Sequence, residues 1–363
     1  MTSFFDLDPP GLEAYCRERD MPRHTADQLL DWVYRKAVTD PEEMTNISRA
    51  HRDVLHRTMQ FYTGAIEAHQ LASDGTQKLL IAWFEADEPA GEAGLPVLDA
   101  PHRRRTECVM IPAEPRTTAC ISSQVGCPVG CRFCASGLGG LEGNLGTGRI
   151  VEQVHRLAAF APGGRISNVV FMGMGEPLAN LAAVTGAIRA LNASWGMGIG
   201  ARRITVSTVG LPAAIRRLAD FELPVTLALS LHAPNDEIRR RLIPWAQYAT
   251  IDELLDACDA YFDRTGREIT LEYLLLRKVN DRPEHARELS DLARRLRANV
   301  NLIRYNEVRG LPFDRPTTDD VHAFQGILRR RGVNVHLRAS RGRDIAAACG
   351  QLRHERSAAD RSR

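Results

Sequence analysis

The chain has 363 residues, of which 44% are hydrophobic and 25% are charged, and its net charge is +2. This length predicts one barrel-sized domain with a smaller appended unit. No run of about eighteen uncharged apolar residues occurs, and the first twenty residues carry acids where a signal peptide needs bases. We therefore expect a cytoplasmic protein that makes no contact with a membrane.

The cysteine and arginine contents indicate which kinds of function the protein can have. Eight cysteines in a reducing compartment argue against a disulfide framework and favour metal binding or catalysis. All but three of the 47 basic residues are arginine. A GC-rich genome explains that bias without any function. Arginine also stacks on bases and pairs with phosphates, so the composition is compatible with RNA binding.

The N-terminal third predicts helices followed by a hairpin. Residues 1–65 show helical periodicity, clearest in ADQLLDWVYRKAV and MTNISRAHRDVLHRTM. The stretches GAIEAHQL and QKLLIAWFE read as two strands joined by the tight-turn sequence SDGT. Residues 87–103 are rich in Pro, Gly and Ala and predict a loop. We assign residues 1–103 to an N-terminal accessory domain.

From residue 105 onward, short β-branched strands alternate with helices of about ten to fifteen residues. The predicted strands are TTACISS, NVVFMGMG, RITVSTVG, PVTLALSLH, ITLEYLLL and NVNLIRYN. Six such units predict an α/β fold, a partial (β/α)6 barrel over residues 104–352. The segment NVHLRASRGRDIAAACGQL ends the ordered chain, and residues 353–363 form a polar tail that we expect to be disordered.

Three cysteines follow the first predicted barrel strand. Cys127, Cys131 and Cys134 form the pattern CxxxCxxC at the end of the strand where barrel active sites lie. A structural zinc ion takes four protein ligands, more often from paired CxxC or His spacings. A 4Fe-4S cluster held by only three cysteines leaves one iron open to a substrate. Zinc and three ordinary thiols stay open as alternatives, and the pattern favours the cluster.

This cysteine loop resembles that of the radical S-adenosylmethionine (SAM) enzymes, and Phe133 also matches their pattern. The resemblance implies two cofactors, a 4Fe-4S cluster and SAM. The open iron would chelate SAM, and an electron would cleave SAM to a 5'-deoxyadenosyl radical. The stretches FMGMGEP, VSTVG, LSLH and IRYN follow successive strands and fit a SAM pocket, with candidate contacts at Gly175, Glu176, Ser207, Ser230, Leu231, His232 and Asn306.

A closer resemblance covers nearly the whole chain. The stretches CISSQVGC, GMGEPL, STVG, LSLHAPND and RGRDIAAACGQL, with MPRHTADQLLDWVYRKAVTDPEEMTNIS, resemble the RlmN/Cfr family of radical SAM ribosomal RNA adenine methyltransferases. That family implies methylation of carbon 2 of an adenosine in 23S rRNA, numbered 2503, with adenosine 37 of tRNA as a second candidate target. It also implies two SAM molecules per product, and RNA contact by the accessory domain.

The resemblance assigns roles to three further residues. Cys349 matches the cysteine that takes a methyl group from one SAM, becomes a carbon radical through a second SAM, and adds to adenine. Cys120 matches the thiol that releases the product and leaves a disulfide to be reduced, and Glu107 matches the carboxylate that takes the ring proton. From the residues alone, two buried thiols and a solvated surface glutamate are the alternatives.

Several expectations remain open at this point. The family's Pro-Tyr-Asn-Pro is here Arg304-Tyr305-Asn306-Glu307, so methylation at carbon 8, as in the Cfr branch, is the alternative. A radical SAM enzyme acting on a substrate other than RNA is another. We expect a monomer that receives electrons from a flavodoxin or ferredoxin. Candidate RNA contacts in the accessory domain are Arg23, Trp32, Tyr34, Arg35 and Lys36, with Trp32 favoured as a core residue.

Overall fold

The computed structural model describes residues 1–84, 104–296 and 298–352. The predicted loop at 87–103 and the predicted tail at 353–363 lie outside these ranges. The helices are α1 (Pro9–Arg17), α2 (His24–Leu30), α3 (Arg49–Thr58), α4 (Thr147–Ala158), α5 (Leu181–Asn192), α6 (Pro212–Ala219), α7 (Asp236–Leu242), α8 (Ile251–Thr265), α9 (Pro283–Arg295) and α10 (Thr318–Arg330).

The strands of the described ranges fall into one large sheet and two short pairs. They are β1 (Thr2–Ser3), β2 (Met59–Gln60), β3 (Gly64–Leu71), β4 (Gln77–Trp83), β5 (Arg105–Ala113), β6 (Arg116–Cys120), β7 (Gln124–Gly126), β8 (Leu141–Asn144), β9 (Asn168–Phe171), β10 (Ile204–Thr208), β11 (Thr226–Ser230), β12 (Thr270–Leu275), β13 (Asn299–Arg304) and β14 (Val335–Arg338).

The centre of the large sheet is a run of seven parallel strands in the order β6-β9-β10-β11-β12-β13-β14. The six predicted barrel strands are all present, which confirms the partial barrel. The sequence does not predict the seventh, β14, because four residues are too few to show a period and two of them, His336 and Arg338, are polar. The sequence pattern assigns this stretch to the terminal segment.

The predicted hairpin extends this sheet. β3 and β4 pair antiparallel and are joined by a turn in which Gly75 N–H donates to the Ala72 carbonyl over 3.0 Å. β4 pairs in turn with β5, which the sequence did not reveal, and β5 pairs with β6. Because β4 and β5 are neighbours in one sheet, hydrogen bonds connect the two sides of the proposed boundary at residue 103, and that boundary stays a proposal.

The N-terminal helices pack on the barrel through α4. Asp6 Oδ1 accepts a hydrogen bond of 2.6 Å from Gly148 N–H in the first turn of α4, where a negative charge is favourable. Phe4 and Phe5 are buried beside it. The half-buried Trp32 and Tyr34 pack against the same core, as we expected for Trp32. The predicted helical unit is therefore attached to the barrel by a buried aromatic contact.

The main hydrophobic core lies between the outer face of the sheet and its covering helices, with buried residues such as Val154, Ile188, Leu254 and Phe324. Side chains of a strand alternate between the two faces of a sheet. The strand side chains on the inner face of the sheet therefore point into the barrel, where the described residues line open cavities. No helix in the described ranges has the length and apolar character needed to cross a bilayer.

Candidate active site

The three candidate cluster ligands lie on a loop that is held from several directions. Cys127 N–H donates to the Gly140 carbonyl over 2.9 Å, and Cys134 N–H donates to the Cys131 carbonyl over 3.1 Å. The turn needs glycine at Gly126, whose φ is +74°, because a methyl group there would lie 2.0 Å from the Gly140 oxygen. The backbone therefore fixes the curl of this loop.

Helix α7, which the sequence did not predict, supports the same loop. Its N-cap Asn235 accepts a hydrogen bond of 3.1 Å from Ile238 N–H, and its Leu242 carbonyl accepts one of 3.0 Å from Arg132 N–H. The helix has only seven residues, three of them consecutive arginines. So short and polar a segment carries little apolar periodicity, which explains why we missed it.

A cavity opens at the carboxyl ends of the parallel strands. Barrel active sites lie at this end. The cavity brings together nine of the predicted site residues, namely Cys127, Cys131, Cys134, Gly175, Glu176, Ser207, Ser230, His232 and Cys349.

The three thiols fit an iron-sulfur cluster. Burial raises the pKa of Cys127 to about 12, and burial together with the neighbouring thiols raises the pKa of Cys131. Buried thiolates therefore need a compensating positive charge, which irons supply. Among the described residues, no group of three His, Cys, Asp or Glu is placed to hold a single metal ion.

Glu176 joins the loops after β9 and β10. Its Oε1 accepts from Leu178 N–H over 3.0 Å and its Oε2 accepts from Val209 N–H over 2.9 Å. Burial raises the pKa of its carboxyl group. Gly175 precedes it with φ +103°, and a methyl group there would lie 2.7 Å from Ser123 Oγ. The backbone at this point thus runs close to β7 and faces the cavity.

Polar groups at the carboxyl ends of the next two strands lie on the same wall of the cavity as Gly175 and Glu176. Ser207 Oγ and Ser230 Oγ lie 3.0 Å apart. His232 Nδ1 accepts a hydrogen bond of 3.1 Å from Leu274 N–H, which leaves the proton of the neutral ring on Nε2. Burial and the nearby Arg239 lower the pKa of His232 to about 3. The imidazole is therefore an uncharged donor at neutral pH.

The other four predicted residues, Leu231, Glu107, Asn306 and Cys120, do not line this cavity. The Leu231 side chain is fully buried in the main core, and only its backbone reaches the wall, by donating to the Glu272 carbonyl over 3.1 Å. Glu107 is buried outside the described cavity linings, with its Oε1 3.2 Å from Lys78 Nζ. Asn306 and Cys120 line a second, larger cavity inside the barrel.

Cys349 lies where the two cavities meet, since it lines both. The carbonyl of its neighbour Gly350 accepts a hydrogen bond of 2.7 Å from Ala135 N–H, just after the third cluster cysteine. Cys120 lines the second cavity, and burial and the thiol of Cys349 raise the pKa of Cys120 to about 12. The structure therefore places Cys349 between the cysteine loop and Cys120.

Two charged residues that line both cavities were not among the site residues predicted from the sequence. They are Glu272 of β12 and Arg338 of β14. A lone glutamate inside the apolar strand ITLEYLLL was a usable signal, because a charge is rarely buried in a parallel strand without a function. Arg338 gave no such signal, since the strand that carries it was not recognised.

Comparisons with known proteins agree with this architecture. Residues 121–290 match the model of the radical SAM superfamily, and residues 2–60 match that of the ribosomal RNA large subunit methyltransferase N-terminal domain. A radical SAM methyltransferase from Sphaerobacter thermophilus superposes with a TM-score of 0.90 and 40% identity, covering 98% of this chain and all of that one. The fold and the cysteine cavity thus define a radical SAM enzyme.

Sequence relatives narrow the family. A protein of Gloeobacter violaceus described as a probable dual-specificity RNA methyltransferase RlmN is 43% identical over 94% of this chain and 92% of its own length. One of Synechococcus with the same description is 46% identical, with 90% of each chain covered. The chain belongs to the RlmN family of radical SAM methyltransferases, which confirms the resemblance seen in the sequence. Membership of the superfamily implies a 4Fe-4S cluster and SAM as cofactors.

Proposed function

We propose that this enzyme methylates carbon 2 of an adenosine in 23S rRNA and, as a second substrate, an adenosine in tRNA. The RNA methyltransferase descriptions of relatives more than 40% identical over nearly the whole chain support an RNA substrate. The observation that carries the mechanism is the placement of Cys349 at the junction of the two cavities.

In this proposal Cys127, Cys131 and Cys134 hold the cluster, which when bound supplies the electron that cleaves SAM. Gly175, Glu176, Ser207, Ser230 and His232 shape the wall for SAM, Leu231 contributes its backbone, and Asn306 contributes from the second cavity.

Two thiols and a carboxylate of the chain perform the transfer. The Cys349 thiolate would take a methyl group from one SAM, and this methyl carbon, after losing a hydrogen atom to the radical that a second SAM supplies, would bond to the adenine carbon. The adduct would then lose its unpaired electron to the cluster and its ring proton to Glu107. The Cys120 thiolate would attack the Cys349 sulfur, which breaks the bond to the methylene carbon and forms a Cys120–Cys349 disulfide; the released carbon takes up a proton, and the reductant of the enzyme restores the two thiols. Lys78 supports this role of Glu107, since it also donates to the Ala346 carbonyl over 3.3 Å, three residues before Cys349.

The second cavity suits an RNA nucleotide. It is the larger of the two, and Arg116, Arg338 and Arg341 line it together with His336. Arginine pairs well with phosphate and stacks on bases. Because a base must leave its stack to reach a buried thiol, the target lies in a loop or an unfolded region of the RNA. We propose a cytoplasmic monomer reduced by a flavodoxin or ferredoxin.

Mass spectrometry of nucleosides tests this function. We expect 2-methyladenosine in 23S rRNA and tRNA from cells that carry the wild-type chain, and its loss with Cys349→Ala. Cys258→Ala is the matched control, because Cys258 is a free, buried thiol on α8 that lines neither cavity. Methyladenosine that persists with Cys349→Ala would contradict the mechanism, and 8-methyladenosine would identify the alternative carbon.

A further inference from the structure

Glu272 is a buried acid that the mechanism above does not use. It lies on β12, is 3% exposed, and lines both cavities beside Cys349. Its strand neighbours in register are Ser230 on β11 and Asn301 on β13, and residues in register on parallel strands point to the same side of the sheet. Glu272 therefore faces the inside of the barrel.

Its two carboxyl oxygens differ in their partners. Oε1 accepts a hydrogen bond of 2.9 Å from Asn301 Nδ2. Oε2 is buried and has no hydrogen-bond partner within the described residues. Burial raises the pKa of Glu272, while the charge of Arg338 and the bond from Asn301 lower it. A buried oxygen without a donor costs free energy, so it is expected to find its partner in a bound molecule.

We propose that the Glu272 carboxyl group accepts a hydrogen bond from the exocyclic amino group of the target adenine and thereby selects adenine over guanine. This inference rests on the proposed function. Adenine has one exocyclic N–H donor group, at carbon 6, whereas guanine has an acceptor oxygen there. Because carbon 2, N1 and this amino group share one edge of adenine, a base whose carbon 2 meets Cys349 turns its amino group toward the same wall.

The same oxygen could instead meet a ribose hydroxyl of SAM, since Glu272 also lines the cysteine cavity. The residues around Glu272 in the second cavity favour the target base over SAM as the partner of this oxygen. Asn301, which orients the carboxyl group, and His336 on the next strand line that cavity, and neither lines the first. The one side chain that donates to Glu272, Asn301, thus belongs to the space proposed for the nucleotide.

The test compares two RNAs and two variants under anaerobic conditions. A short RNA hairpin carries either adenosine or purine riboside, which lacks the amino group, at the target position. For the wild-type enzyme we expect kcat/KM to fall about 10- to 100-fold with purine riboside, the worth of one hydrogen bond to a charged group. Glu272→Gln should methylate adenosine poorly and distinguish the two RNAs by less than about threefold.

Glu268→Gln is the matched control, because Glu268 makes the equivalent bond of 3.1 Å to Asn299 at the exposed start of the same strands. It should behave as wild type. The visible absorption of the cluster, and the RNA-independent cleavage of SAM to 5'-deoxyadenosine, should be unchanged in Glu272→Gln. If Glu272→Gln fails to fold, Glu272→Asp keeps the carboxyl group and should retain discrimination between the RNAs.

Each outcome of this test counts against either the inference or the proposed function. Equal use of both RNAs by the wild-type enzyme, or wild-type discrimination by Glu272→Gln, overturns the inference. Lost SAM cleavage or a raised KM for SAM in Glu272→Gln assigns the carboxyl group to SAM and also overturns it. A wild-type enzyme that methylates neither RNA, with its cluster intact, instead counts against the proposed function.

Discussion

At the residue scale, His232 shows how burial sets a protonation state. Its backbone is left-handed, with φ +57°, at the end of β11, and its ring packs edge-on to Phe133 with centroids 5.2 Å apart. The pKa of the ring falls from 6.5 to about 3, because burial and the charge of Arg239 disfavour the protonated form. The folded protein thus keeps the ring neutral over a range in which an unfolded chain would protonate it.

This shift predicts a loss of stability in acid. Between pH 6.5 and about 3 the unfolded state binds a proton that the folded state excludes, so the free energy of unfolding drops by about 1.4 kcal/mol per pH unit from this residue. His232→Gln should therefore show a smaller fall in apparent melting temperature from pH 7 to pH 5.5 than the wild type, measured anaerobically. His322→Gln, on the exposed face of α10, is the control. Parallel pH profiles for His232→Gln and the wild type would contradict the assignment.

The candidate site was predictable from the sequence only where its chemistry is local. The three cysteines of CxxxCxxC stand within eight residues of one another, so their spacing alone indicated a shared centre. Glu272 and Arg338 come from strands separated by more than fifty residues, and only the parallel pairing through β13 brings them to one wall. Leu231 shows the converse, because a residue next to cavity residues turned its side chain into the core.

At the scale of elements, the β3–β4 turn acts as a dock for the C-terminal segment. Ser73 N–H donates to Asp344 Oδ2 over 2.8 Å, and Gly342 N–H donates to Asp74 Oδ2 over 3.1 Å. The bond from Ser73 is the main cause of the lowered pKa of Asp344. Burial raises the pKa of Asp74, and hydrogen bonds from Thr76 and then from Gly342 lower it by more. The sequence predicts that this segment ends the ordered chain, and two hydrogen bonds tie it to the hairpin.

Asp74→Ala should loosen this dock. With the acceptor for Gly342 removed, the segment that carries Cys349 should be cleaved faster by a protease at Arg341 or Arg343, and methylation should slow by about fivefold, the worth of one hydrogen bond. The cluster content should be unchanged, because the cysteine loop keeps its own bonds. Asp263→Ala, at an exposed position of α8, serves as control. Wild-type proteolysis and methylation rates in Asp74→Ala would show that the turn does not position Cys349.

The elements that the sequence predicted are those whose apolar residues recur with a clear helical or strand periodicity. The six barrel strands and the amphipathic helices between them repeat their apolar residues clearly, and the hairpin has a diagnostic Asp-Gly turn. β5 was missed because RTECVMIPA has no alternation, since Thr106 to Met110 are all buried. Helix α7 and β14 are too short for a period to emerge, so only their tertiary contacts define them.

At the scale of the whole molecule, the architecture brings three distant segments to one place. The barrel presents the carboxyl ends of its strands, the loop after β7 carries the cysteines, and the C-terminal segment places Cys349 between that loop and the barrel interior. The antiparallel hairpin completes the arrangement by holding the C-terminal segment. Every step of the account requires that the cysteine loop hold a cluster with one iron free to bind SAM.

Electron paramagnetic resonance of the anaerobically purified, reduced protein tests this requirement most directly. We expect a 4Fe-4S signal that shifts when SAM is added and couples to a 15N label in the SAM amino group. Substitution of Cys127, Cys131 or Cys134 by Ala should abolish the signal, while Cys258→Ala should retain it. A colourless protein with stoichiometric zinc, or a cluster signal that SAM leaves unchanged, would contradict the account.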